Sequence, residues 1–130
     1  MREIKYIVFH CTATEQTAKV SSIVKYWKER LGWKSPGYHF IIEANGNVTQ
    51  LQHLDKLTNG VKGYNKESIH ISYIGGKNED DRTREQIQAQ KNILKVLMNF
   101  YPDAEVLGHR DFKGVTKSCP RFDAKTLLMQ

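Results

Sequence analysis

The period of apolar positions changes repeatedly along the chain, and each change marks an element. Ile4 to Cys11 (IKYIVFHC) is a short apolar run of strand length, which places His10 near its end. Val20, Ile23, Val24, Trp27 and Leu31 recur at helical spacing, with Gly32 as the stop. Tyr38 to Glu43 and Val48 to Gln52 flank Ala44-Asn45-Gly46-Asn47, a hairpin whose Asn-Gly supplies positive φ. From Ser68 to Ile74, Ile69, Ile71 and Tyr73 alternate with His70 and Ser72, a strand ended by Gly75-Gly76. Thr83 with Gln86 reads as a capping box opening a long helix, whose apolar positions are Ile87, Leu94, Leu97, Met98 and Tyr101 and which Pro102 closes. Glu105 to Leu107 is a short strand feeding Gly108 and His109, and Asp123 caps a last short helix through Leu128. Strands alternate with helices and one hairpin intervenes, so the expected fold is α/β: one domain over residues 1–130 with a central mixed β-sheet flanked by α-helices.

Composition supports a folded chain, with 39% hydrophobic and 26% charged residues. The net charge of +6 points to a polyanionic partner: nucleic acid, a membrane surface or an anionic wall polymer. Basic residues are scattered from Lys5 to Lys125 rather than interleaved with exposed aromatics, which argues against nucleic acid. No apolar stretch approaches the ~18 residues of a membrane span, and no leader precedes the first strand, so membrane insertion is not expected. The expected product is made in the cytoplasm and works as a monomer. Cys11 and Cys119 could pair, but a leaderless chain meets a reducing compartment, so free thiols are expected.

Candidate chemistry lies in His10, His109 and Cys119. Both histidines come directly after a strand or its glycine, where a scaffold presents a side chain rigidly, and Cys119 follows on a loop held by Pro120. Two imidazoles and a thiolate suit zinc, and three protein ligands leave the fourth tetrahedral position for water. On spacing alone a structural histidine and a small buried cysteine serve equally well. Cys11 competes with Cys119, yet neighbours on a strand face opposite ways, so Cys11 belongs to the core if His10 faces a metal. Read by themselves, Tyr38 is a core aromatic and Lys117 a surface charge.

Six strings in order, VFHCTAT (Val8 to Thr14), GYHFII (Gly37 to Ile42), GYNKESI (Gly63 to Ile69), IGG (Ile74 to Gly76), GHRD (Gly108 to Asp111) and KSCPRFD (Lys117 to Asp123), carry a resemblance. From about Ile4 to Phe122 the chain resembles the zinc-dependent N-acetylmuramoyl-L-alanine amidases, in their phage-lysozyme branch, related in fold to the peptidoglycan recognition proteins. The resemblance implies one Zn2+ held by His10, His109 and Cys119, with Tyr38 and Lys117 as the catalytic pair. It implies a bacteriolytic hydrolase of phage or prophage type that cuts the amide between N-acetylmuramic acid and L-alanine of peptidoglycan, reaching the wall after release or export by another factor. Lys117 would stabilise the anionic tetrahedral intermediate, and Tyr38 would orient the water or help move its proton.

Three departures stand out. Many relatives carry a histidine shortly before the KGYN stretch, where this chain has Gly60, and the common SIGI strand is here SIHI, with His70 for glycine. His70 reads as a sheet-surface histidine, with use of the missing histidine's space as the alternative. Some relatives also place a glutamate where this chain has Ser72, which again points to Tyr38 and Lys117. The competing function is a module that binds the muramyl peptide without cutting it, but such relatives lack the cysteine ligand that Cys119 supplies.

Overall fold

The computed structural model describes residues 2–130 and contains five strands: β1 (Tyr6–Cys11), β2 (Phe40–Ile42), β3 (Val48–Gln50), β4 (Ser68–Tyr73) and β5 (Glu105–Gly108). They form one sheet in the order β3-β2-β4-β1-β5. β1 runs parallel to β4 and β5, and β2 parallel to β4, while β2 and β3 pair antiparallel, so the sheet is mixed as expected. The hairpin turn draws its left-handed residue from Gly46 alone, at φ 89°.

Two α-helices accompany the sheet: α1 (Val20–Glu29) and α2 (Arg84–Phe100). α1 stops two residues short of the predicted Leu31, because the Arg30 and Leu31 N–H groups both turn back to the Tyr26 carbonyl ahead of left-handed Gly32. α2 begins at the predicted capping box, in which the Gln86 N–H donates to Thr83 Oγ1 and the Thr83 N–H to Gln86 Oε1. Its buried face differs from the apolar pattern. Gln86, Gln90, Leu94 and Leu97 are buried, whereas Met98 is 39% exposed. Gln86 is tolerated there because its Nε2 donates to the carbonyls of Ile42 and Ile74 at the ends of β2 and β4. The predicted last helix is a pair of 3₁₀ turns over Ala124–Met129, started by Asp123 accepting from the Lys125 N–H.

β1 and β4 are buried on both faces of the sheet. Ile7, Phe9 and Cys11 of β1 join Ile69, Ile71 and Tyr73 of β4 in the main core, against Leu94, Leu97 and Leu127. On the other face Val8 packs with Val61, Leu107 and Phe112 in a smaller cluster. Beyond Val8 this second face becomes polar: His10 of β1, then His70 and Ser72 of β4, all buried.

Candidate metal centre

Parity along β1 places His10 on the same face as Val8, and Cys11 on the helix-backed face. His109 opens a 3₁₀ turn directly after β5, and that turn is braced by the Gly108 N–H donating to Asp111 Oδ2 at 2.7 Å. Cys119 comes from the following loop. Its carbonyl accepts from the Arg110 N–H at 2.8 Å, and its Sγ accepts from the Cys11 N–H at 3.1 Å, so Cys119 is tied both to the turn after β5 and to the end of β1.

The fold brings the three sequence-predicted ligands together: one donor atom from each of His10, His109 and Cys119 lies within 4.8 Å of the others. A tetrahedral zinc with ordinary bond lengths sets its N and S ligands about 3.3–3.6 Å apart, so small side-chain movements close the site. Burial, then the imidazoles of His70 and His109 and the Lys117 ammonium, holds His10 well below its ordinary pKa. His109 is lowered by burial and by Lys117. Neutral imidazoles keep the lone pair that a metal needs. The hydrogen-bonded Cys11 thiol and burial raise the Cys119 thiol above its ordinary value, and a cation beside the sulfur reverses that balance. Both cysteines are free. The Cys11 thiol donates to the Gly76 carbonyl at 3.8 Å, away from the histidines.

His10, His109 and Cys119 share a cavity of about 210 Å³ with the two other predicted site residues, Tyr38 and Lys117. Tyr38 lies in the loop before β2, since that strand begins at Phe40 and not at Tyr38 as the pattern suggested. Its ring lies between His10 and Trp27, with centroids 5.1 and 5.3 Å away, and its hydroxyl donates to the Cys11 carbonyl at 3.4 Å. Burial raises the phenol's pKa, outweighing the hydrogen bond to Ser72, so Tyr38 keeps its proton. Lys117 is exposed at the rim.

The structure adds residues that the sequence reading passed over. Trp27 and Trp33, stacked with centroids 6.3 Å apart, line the same cavity. By its spacing in the sequence Trp27 is only an apolar helix position. His39 is wholly buried and structural: its Nδ1 accepts from the His70 N–H and its Nε2 donates to the Lys56 carbonyl, while burial takes its pKa down to about 4. His70 is not the sheet-surface histidine expected. It is fully buried, with its Nδ1 2.8 Å from His10 Nε2, because the loop at Gly60 and the 3₁₀ turn Asn65–Glu67 cover this part of the sheet.

Comparison with known proteins gives a consistent picture. The model of the family described as N-acetylmuramoyl-L-alanine amidase matches residues 1–122. Relatives include the endolysin of Klebsiella phage KP32, 35% identical and covering 95% of this chain and 85% of the relative. The endolysin of Escherichia phage T7 is 31% identical, covering 92% and 82%. Among solved structures, the N-acetylmuramoyl-L-alanine amidase LysC from Clostridium intestinale superposes with a TM-score of 0.82 at 25% identity, covering 94% of this chain and 79% of that one. Bumblebee PGRP-SA shares the fold, with a TM-score of 0.81 at 22% identity, covering 100% and 83%. The chain belongs to the N-acetylmuramoyl-L-alanine amidase family.

Proposed function

We propose that the chain is a zinc amidase that hydrolyses the bond between N-acetylmuramic acid and L-alanine in bacterial peptidoglycan, with one zinc ion held by His10, His109 and Cys119. The observation that carries this reading is the meeting of five side chains from four segments, His10, Tyr38, His109, and Lys117 with Cys119, around one cavity. A zinc ion held there supplies Lewis acidity for the scissile carbonyl and acidifies the attacking water. Lys117, exposed at the rim, donates hydrogen bonds to the carbonyl oxygen as it gains negative charge. Tyr38, protonated and pinned between His10 and Trp27, orients the water and stands ready to pass a proton toward the leaving amine. Trp27 and Trp33 form an apolar wall that excludes water from one side of the cavity.

The chain acts as a monomer and as one amidase domain over residues 1–130, and its +6 charge draws it to anionic wall polymers rather than to nucleic acid. Among the described residues no helix is long and apolar enough to cross a membrane, and another factor gives the chain access to the wall.

Mass spectrometry of purified peptidoglycan treated with zinc-loaded protein tests the reaction. Stem peptides with a free L-alanine amine and intact glycan strands are expected. New reducing sugar ends would instead identify a glycosidase, and unchanged muropeptides that stay bound would identify a binding module. For the catalytic pair, Lys117→Ala is expected to lower kcat by roughly 10² to 10³ with little change in KM. Tyr38→Phe lowers kcat too, with zinc content and melting temperature kept in both variants. Parental kcat in both would remove Tyr38 and Lys117 from the mechanism and leave only the metal site.

A further inference from the structure

His70 occupies the middle of β4, diagonal to His10 on the adjacent strand, since its register partner on β1 is Val8. Its ring is in contact at both nitrogens. Nδ1 lies 2.8 Å from His10 Nε2, and Nε2 lies 2.8 Å from Asn65 Oδ1. The direction of these two hydrogen bonds follows from a third group. Asn65 Oδ1 also accepts from the backbone N–H groups of Gly60 and Val61, at 3.1 and 2.8 Å. Backbone N–H groups only donate, so the amide atom that meets them is the oxygen, and His70 Nε2 must be the protonated nitrogen. His70 is 0% and His10 2% exposed, and burial to that degree disfavours the charged form of each ring. A neutral His70 protonated on Nε2 has its lone pair on Nδ1, and Nδ1 faces His10. The proton between the two rings therefore sits on His10 Nε2, and His10 keeps its own lone pair on Nδ1.

The ring is also held in place sterically. A Cβ at residue 60 would lie 2.2 Å from His70 Nδ1 and 2.3 Å from Cε1, so glycine is required there while the imidazole is present. His70 does not itself belong to the group of donor atoms formed by His10, His109 and Cys119.

We propose that His70 is a positioning residue of the metal centre: anchored by Asn65, it accepts the Nε2 proton of His10 and so fixes the tautomer that offers Nδ1 to the metal. This rests on the reading of His10 as a ligand. A partner of this kind orients the ligating ring, and its loss weakens metal affinity by about 10- to 100-fold in comparable sites. Asn65 carries the arrangement one step further, because the same oxygen that orients His70 ties down the loop at Gly60 and Val61.

The test combines histidine ring ¹⁵N NMR of the metal-free full chain with zinc affinity by chelator competition. In the parent, His10 is expected to carry its proton on Nε2 and His70 on Nε2 as well. His70→Leu, which fills the space but accepts no hydrogen bond, is expected to leave His10 in a mixture of tautomers and to bind zinc about 10- to 100-fold more weakly. His70→Asn, whose Oδ1 replaces Nδ1 as acceptor, restores both. A His10 proton on Nδ1 in the parent overturns the proposal without reference to any variant, as does parental zinc affinity in a folded His70→Leu. Failure of the underlying reading looks different: His10→Ala would then bind zinc as tightly as the parent, whatever the tautomer.

Discussion

The two faces of the sheet are made by the same strands and buried to the same degree, yet they do opposite things. Toward α2, β1 and β4 send Ile7, Phe9, Ile69, Ile71 and Tyr73, and all five are 0% exposed. On the opposite face they carry His10, which lines the cavity, and Ser72 and His70 beside it, and these are 2%, 0% and 0% exposed. The first face gains stability chiefly by leaving water, with only the Tyr73 hydroxyl among these five side chains needing a partner, the Pro120 carbonyl at 2.9 Å. The second loses hydration that only hydrogen bonds replace, and each polar group there has found a partner: His10 on His70, His70 on Asn65, Ser72 on the Tyr73 carbonyl. Burial alone does not separate core from site. What separates them is whether the buried atoms need specific partners, and therefore whether their directions are fixed.

The comparison breaks most severely at the two thiols. Cys119→Ser is expected to lose stoichiometric zinc, by metal analysis, and to drop amidase turnover to background, whereas Cys11→Ser keeps both. Zinc retained in the first variant and lost in the second would exchange the roles of the two cysteines. Damage on the helix-backed face takes another form. Leu94→Ala is expected to cost about 2–5 kcal/mol in denaturant unfolding, with zinc content and kcat at parental levels below the melting transition. A kcat that falls in step with stability would mean that the faces are not independent. The smallest effect sharpens the contrast: Thr83→Ala deletes the α2 cap and is expected to cost about 1 kcal/mol while turnover stays unchanged.

Much of this division is written in the sequence as period. Alternation along Ser68 to Tyr73 shows correctly which residues share a face. It does not show whether the polar face meets water, because that depends on the loop at Gly60 and the turn at Asn65, which pack over it from elsewhere in the chain. The same limit explains the misread positions on α2. A glutamine is polar in any pattern, and only the open carbonyls of Ile42 and Ile74 make the inside of the protein a good place for Gln86. The five candidate site residues are separated by up to 109 positions along the chain, from His10 to Cys119, so no local pattern links them. Six motifs in order across the chain did link them, because colinearity carries tertiary information that period lacks.

The close approach of residue 60 to the His70 ring couples two positions on different elements. Position 60 on a loop and position 70 on a strand address one volume, and that volume accommodates a single imidazole. In the sequence, a shared space is only the alternative reading of glycine at 60 and histidine at 70. In space they are coupled, because the ring hung from the strand leaves no room for a side chain on the loop. Gly60→His alone overfills the volume and His70→Gly alone empties it, so either single step is harmful, while the two together return a ring to the pocket. Substitutions at 60 and 70 are therefore expected to be non-additive, each changing the effect of the other.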